Sequence, residues 1–251
     1  MKRAFNAAEP ELMDVPQPES PELEACLRNL GKINYCFGSH HLIRKFLRAW
    51  LSPGRCYRIL DLATGFGDIP RMTVEWARPR RISLRIDAVD SNPATLSVAR
   101  RWSRNYSEIS YIQGDARTYA DQQTYDLVCC SLALHHFSDD DAVKLLRHMR
   151  DLSHDKILVT DLERNSLNWL SVYLLTTVLF REPMTRHDGR VSIERAFSYT
   201  EMDRLAAAAG WDHYSHRRFI PARQAVWMSA REEGHIFDFG LPAASEFATG
   251  C

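Results

Sequence analysis

The sequence predicts an α/β protein built on a mostly parallel sheet. Short apolar runs of strand length alternate with segments of helical period, each run ends in a small or acidic residue, and helix-start signals follow those ends. At 251 residues the chain can bury one sizeable core. Lys+Arg and Asp+Glu balance at 32 each, so no overall field draws it to nucleic acid. Cysteines 26, 36, 56, 129, 130 and 251 are scattered without a C-x-x-C pair. Neither a metal site nor a disulfide framework is indicated, and a reducing cytoplasm is the expected location. Met1 to Ser20 is polar and proline-bearing, unlike a secretory signal. No apolar run reaches transmembrane length, so no integral membrane segment is expected.

Met1 to Pro21 reads as an extended or partly disordered arm. Glu22 to Leu51 reads as two helices broken near Phe37-Gly38-Ser39. Leu23, Leu27, Leu30 and Ile33 share one face of the first, and Leu42, Ile43, Phe46, Leu47 and Trp50 one face of the second. Tyr35, His40 and His41, at the break, are pocket candidates. Ser52-Pro53-Gly54 closes this cap.

The segment Arg58–Pro70 (R-I-L-D-L-A-T-G-F-G-D-I-P) follows. Ile59, Leu60 and Leu62 form a buried strand, Thr64-Gly65-Phe66-Gly67 a tight turn, and Asp68-Ile69-Pro70 a helix start. The two glycines leave room for a ligand against the backbone. The helix start offers free N–H groups. A dinucleotide fingerprint needs a small third residue where Pro70 stands, and Asp68 would repel a pyrophosphate. A ligand with one carboxylate, an ammonium and a sulfonium fits better, with Asp61 and Asp68 favouring the cation. S-adenosylmethionine (SAM) has that chemistry.

Ser83–Asp90 is the second strand, ending in an acid suited to the paired hydroxyls of a ribose. Asn92-Pro93 caps the next helix. Ser110–Gln113 is the third strand. Asp115 and the Ala116 amide at its end suit an adenine amino group and ring nitrogen. Tyr125–Ser131 is the fourth, running into Leu132-Ala133-Leu134-His135-His136-Phe137, and Lys156–Thr160 the fifth.

These strand ends, taken in order, resemble the class I SAM-dependent methyltransferases over roughly Cys56 to Ala230. D-L-A-T-G-F-G-D is similar to the family's first motif, with Ala63 where many members have glycine. That alanine also occurs in the ubiquinone/menaquinone C-methyltransferase group. S-L-A-L-H-H-F is similar to the small-molecule form of the fourth motif. The resemblance implies a Rossmann-like seven-stranded, mostly parallel sheet with an antiparallel last strand and an N-terminal helical cap. The donor site it implies comprises Asp61, Ala63, Thr64, Gly65, Phe66, Gly67, Asp90, Ser91, Asp115, Ala116, Ser131 and Leu132, with SAM as cofactor and no metal. Residues 1–51 are then arm and cap, 52–231 the methyltransferase domain with an insert at 162–198, and 232–251 a tail without assignment.

Asn165 to Phe180 is apolar almost all round and is expected to be a buried insert, either core helix or a wall of the acceptor pocket. Thr185–Gly189 (T-R-H-D-G) is expected to be a polar turn. The stretch Tyr199–Asp203 reads as a capping box opening a helix that stops at Gly210. Strands near Trp211–Ile220 and Gln224–Ala230, separated by Pro221, resemble the family's closing antiparallel pair. The E-P-E-L-M-D lead, helical cap and T-R-H-D-G segment together resemble methyltransferases found beside bacterial type III polyketide synthases. That resemblance implies a small phenolic or quinol-like aromatic acceptor, alkyl-substituted, and O-methylation in secondary metabolism. The quinone-type resemblance implies C-methylation instead. A phenolic acceptor gains from a general base, for which His187, the His135/His136 pair, or no protein group at all remain open. A catalytically silent methyltransferase-fold scaffold is the rival from another class. Apolar helices at the surface serve either as a lid or as the face of a homodimer.

Overall fold

Among the described residues, seven strands form one sheet in the order β3-β2-β1-β4-β5-β7-β6. The computed structural model describes residues 2–6, 8–15, 17–179 and 183–229. The strands are β1 (Cys56–Leu62), β2 (Ser83–Asp90), β3 (Ile109–Gln113), β4 (Tyr125–Ser131), β5 (Ser153–Leu162), β6 (Ser215–Phe219) and β7 (Arg223–Ser229). The first five pair in parallel, and β7 runs antiparallel to both β5 and β6. This is the Rossmann-like sheet that the methyltransferase resemblance implied. The chain winds outward from β1 to β2 and β3, then returns to β4 on the other side of β1. Crevices open at the carboxyl ends of strands where winding reverses.

The helices are α1 (Pro21–Cys36), α2 (Ser39–Trp50), α3 (Asp68–Ala77), α4 (Pro93–Trp102), α5 (Asp139–Leu152), α6 (Ser166–Leu179), α7 (Pro183–Arg195) and α8 (Tyr199–Ala208). Their starts are chemically specified. Ser20 accepts from the Leu23 amide, Asn92 from those of Ala94 and Thr95, and Ser138 from that of Asp141. The capping box of α8 is Ser198 with Glu201. Its cap thus lies one residue before the expected stretch, because the hydroxyl must sit outside the first turn.

Both faces of the sheet are covered, as buried parallel strands require. Leu42, Phe46 and Leu47 of α2 and Met72 and Trp76 of α3 pack on Ile59, Ile86, Leu127 and Leu158. On the other face, Leu145 and Met149 of α5 and Met202 and Leu205 of α8 pack on Leu60, Val128, Ile157 and Val159. A smaller cluster seats α1 over the turn after β1, joining Leu23 and Leu27 to Phe66, Ala94 and Val98.

Three expectations are corrected. Thr185–Gly189 lies within α7 and is not a turn. The helix α6 is not buried: Leu167, Leu170 and Leu174 are exposed on it, since the helix packs by one side only, through Trp169 and Val172. The N-terminal arm is held along its length rather than loose. Arg3 donates to the main-chain oxygens of Phe137 at 2.7 Å and Arg195 at 2.6 Å, and Arg195 donates to that of Asn6 at 2.6 Å. The expected tail at 232–251 lies outside the described residues, as does Ala230 of the last expected strand.

Candidate active site

The carboxyl ends of β1, β2 and β4 meet around a cavity of about 550 Å³. The turn after β1 forms one wall. Ala63 leaves the strand with φ +56°, a left-handed conformation that glycine adopts more readily than alanine. Gly65, also at φ +56°, has nothing within 4 Å of a built Cβ, so its backbone is open to a ligand. Gly67 is different. A Cβ there would lie 2.1 Å from Tyr111 Oη. Its missing side chain makes room for a tyrosine, not for a ligand.

Asp90, at the end of β2, accepts the Gly65 amide on Oδ2 at 2.7 Å and the Asn92 amide on Oδ1 at 2.9 Å. It lines the cavity with Ser91. Burial raises its pKa despite those two amides. Asp61 lies behind the wall, fully buried, accepting the Thr64 hydroxyl at 2.6 Å. Burial, together with Asp68 and Asp90, pushes its pKa up to about 7. Asp68 is bound by the helical cap: Asn34 Nδ2 donates to Asp68 Oδ2 at 2.9 Å, and His40 Nε2 lies 3.0 Å from the same oxygen. Of the cap's candidates, Tyr35 and His41 are exposed and His40 serves Asp68. Asn34 and Phe37 line the cavity in their place.

Ala63, Thr64, Gly65, Phe66, Asp90, Ser91, Ser131 and Leu132 are thus brought together along one cavity. Asp115 and Ala116 are not part of its lining. Asp115 is paired with Arg117 at 2.6 Å, a contact that holds its carboxyl below the usual range. Two polar atoms beside the cavity, Ser131 Oγ and Asn34 Oδ1, are buried without a hydrogen-bond partner among the described residues. Together with the bare backbone at Gly65 and the carboxylate at the end of β2, they match a polar ligand carrying a ribose and an amino-acid end.

The opposite end of the cavity is built by residues that the strand-end pattern does not mark. Glu11, from the arm, is buried beside His135 and His136 and accepts the Ser192 hydroxyl at 2.7 Å. Burial would raise its pKa, but the two histidines outweigh it and bring it down to about 2. His135 is buried, with Nδ1 2.7 Å from Asp161 Oδ1. Burial would depress its pKa, but Asp161 and Glu11 raise it to about 10. His136 Nδ1 lies 2.7 Å from Asp14 Oδ2. His187 is half-exposed, points its Nδ1 at Asp188, and does not line the cavity, whereas Asp188 does. The Asp188 carboxylate accepts the amides of Leu12 at 2.7 Å and Met13 at 3.1 Å, pinning the arm across the opening. Sequence reasoning missed Glu11, Asp14 and Asp161 as site residues. The E-P-E-L-M-D lead was the available signal for the first two.

Residues 59–155 match a family described as "Methyltransferase domain". Over those residues the chain is similar to methyltransferase domains. Among curated proteins it is similar to the 2-phytyl-1,4-naphtoquinone methyltransferase of Thermosynechococcus vestitus, with 34% identity over 82 residues. That match covers 32% of this chain and 34% of the relative, about a third of the relative's length. Among solved structures, the plantazolicin methyltransferase BamL, in complex with SAH, aligns with a TM-score of 0.63 and 16% identity over 83% of this chain and 91% of that one. Human N-acetylserotonin methyltransferase, in complex with SAM, aligns with a TM-score of 0.60 and 15% identity over 82% and 55%. At such identities the structural likeness is one of fold. The sheet accounts for the cavity's position, at the reversal between β1 and β4.

Proposed function

We propose that the protein transfers a methyl group from SAM to a hydroxyl oxygen of a small phenolic or quinol-like aromatic acceptor. The observation that carries this reading is the single cavity joining two chemically different ends. One end has Gly65, Asp90 and Ser131, and the other has Glu11 and the two histidines. Leu162, Val172 and Phe137 contribute apolar wall between them. SAM supplies a methyl group already activated on a sulfonium. Asp90 suits its ribose hydroxyls, the open backbone at Gly65 its amino-acid end, and Asp68, joined by Asp61 once that group ionises, places negative charge near its cationic groups.

Transfer of this kind is an in-line displacement, so positioning and exclusion of water carry much of the rate. The pinned arm and α1 contribute to the wall of the cavity, and the aromatic ring of the acceptor suits its apolar part. The acceptor hydroxyl is received at the polar end, which Glu11 and the two histidines line. Among the described residues no helix is long and apolar enough to cross a membrane. A cytoplasmic location is part of the proposal. Among the described residues, the exposed Leu167, Leu170 and Leu174 of α6 offer an apolar surface for pairing with a second copy.

Transfer to a ring carbon of a quinol precursor is the second reading, favoured by the identity with a naphtoquinone methyltransferase. Calorimetric titration with SAM and S-adenosylhomocysteine tests the donor site. Micromolar binding is expected for the wild type, with at least a tenfold loss in Asp90→Ala and Asp90→Asn. An acceptor screen over alkylated phenols and quinols, read by mass and by carbon NMR of the product, then separates oxygen from carbon as the methylated atom. Folded protein that binds neither donor nor product would leave the scaffold reading standing.

A further inference from the structure

The polar end of the cavity is more elaborate than reception of a hydroxyl requires. Glu11, His135 and His136 each offer a ligand atom, and these atoms lie within 4.8 Å of one another. His135 Nε2 is 3.6 Å from Glu11 Oε1, and His136 Nε2 is 4.0 Å from Glu11 Oε2. Both separations are long for a hydrogen bond. They are near the roughly 3.4 Å expected between two donors that each bind a tetrahedral cation at about 2.1 Å. The two rings are also oriented alike. Each directs Nδ1 to a carboxylate at 2.7 Å, Asp161 for His135 and Asp14 for His136, and turns Nε2 towards Glu11. A carboxylate behind each imidazole is the usual support of a metal-ligating histidine, because it fixes the tautomer and the ring plane. Ser192 orients the Glu11 carboxylate in the same way.

We propose that Glu11, His135 and His136 bind a divalent transition-metal cation, zinc being the first to try, with a coordination position open to the acceptor cavity. Two imidazoles and one carboxylate suit zinc and its neighbours in the first transition row better than the all-oxygen preference of magnesium or calcium. The cation's role rests on the methyltransferase reading, although its binding does not. In that role the acceptor's hydroxyl oxygen becomes a further ligand and its O–H proton leaves to solvent, so that no side chain needs to act as base. The competing account is an ion-pair latch. In it the same three side chains only tie the arm to the segment after β4.

The test uses the full chain, dialysed against a chelator and titrated separately with Co²⁺ and Zn²⁺, with S-adenosylhomocysteine titrated into the same samples. The expected result is one Co²⁺ per chain, visible absorption bands of a histidine-ligated ion, and loss of those bands on adding Zn²⁺. Binding should weaken at least tenfold in Glu11→Gln and in His136→Gln, with folding checked by circular dichroism. Folded wild-type protein that shows no saturable Co²⁺ or Zn²⁺ binding would overturn the proposal without reference to any variant. Undiminished binding in both variants would also overturn it and leave the latch. Cobalt binding without S-adenosylhomocysteine binding would support the metal site and remove the methyltransferase reading.

Discussion

Asp188 Oδ1 accepts the main-chain N–H of Leu12 at 2.7 Å, joining α7 to the N-terminal arm across most of the sequence. The other oxygen of the same carboxylate takes the Met13 amide. Hydrogen bonds to a charged acceptor are worth about 1.5–3 kcal/mol each. Asp188→Ala should therefore let the arm open while the sheet stays intact. Hydrogen exchange read at Leu12 and Met13 is expected to accelerate by about tenfold to a hundredfold, with the sheet amides unchanged. Equal exchange in wild type and variant would show that Arg3 and Arg195 hold the arm without Asp188.

Asp61 is expected to set a pH dependence. Its folded pKa of about 7 stands above its ordinary value of 3.8, because it is buried beside two other acids. The folded state therefore holds the proton more tightly than the unfolded chain does. The group's favourable contribution is fully present below about pH 3.8 and is lost as the pH rises through about 7. Melting temperatures of wild type and Asp61→Asn, measured from pH 5 to about 8, isolate this effect from the other carboxylates. The asparagine variant should gain on wild type as the pH rises. SAM affinity should move in the opposite sense, strengthening through about pH 7 in wild type only, as the ionised carboxylate meets a cationic ligand. A pH-independent difference between the two proteins would exclude this role for Asp61.

The two glycines of the turn should respond differently to alanine. At Gly65 the new Cβ meets nothing, so the cost is the left-handed backbone alone, about 1–2 kcal/mol, with donor binding weakened. At Gly67 the same strain, with φ +73°, is joined by a clash with Tyr111, whose Oη also sits 2.8 Å from Ser103 Oγ. Gly67→Ala should therefore lose clearly more stability in urea than Gly65→Ala, by about 1–3 kcal/mol. Adding Tyr111→Ala should remove much of that excess. Equal losses at the two glycines would show that the Tyr111 ring moves aside without cost.

The strand-end carboxylates and the glycine turn were legible because they are local. Each sits within a few residues of the apolar run that positions it, so period and turn chemistry mark it in the sequence. Asp61 and Asp90 were readable as acids at strand ends. The space beside Gly67 is filled by Tyr111, which belongs to another strand and so leaves no local mark in the sequence. His187 is a candidate by residue type alone, and the turn of α7 presents Asp188 to the cavity instead.

The sequence by itself determined the α/β class, the succession of strands and helices along the chain, and the acid and glycine turn at one end of the cavity, since burial pattern and capping are short-range properties of the chain. Only the tertiary structure decided the other end. Glu11 meets His135, and Asp161 holds that histidine from behind, because the arm folds back over α7 and the β4 and β5 strands end side by side. No local pattern records such meetings. They depend on which distant segments the packed core brings to the same edge of the sheet.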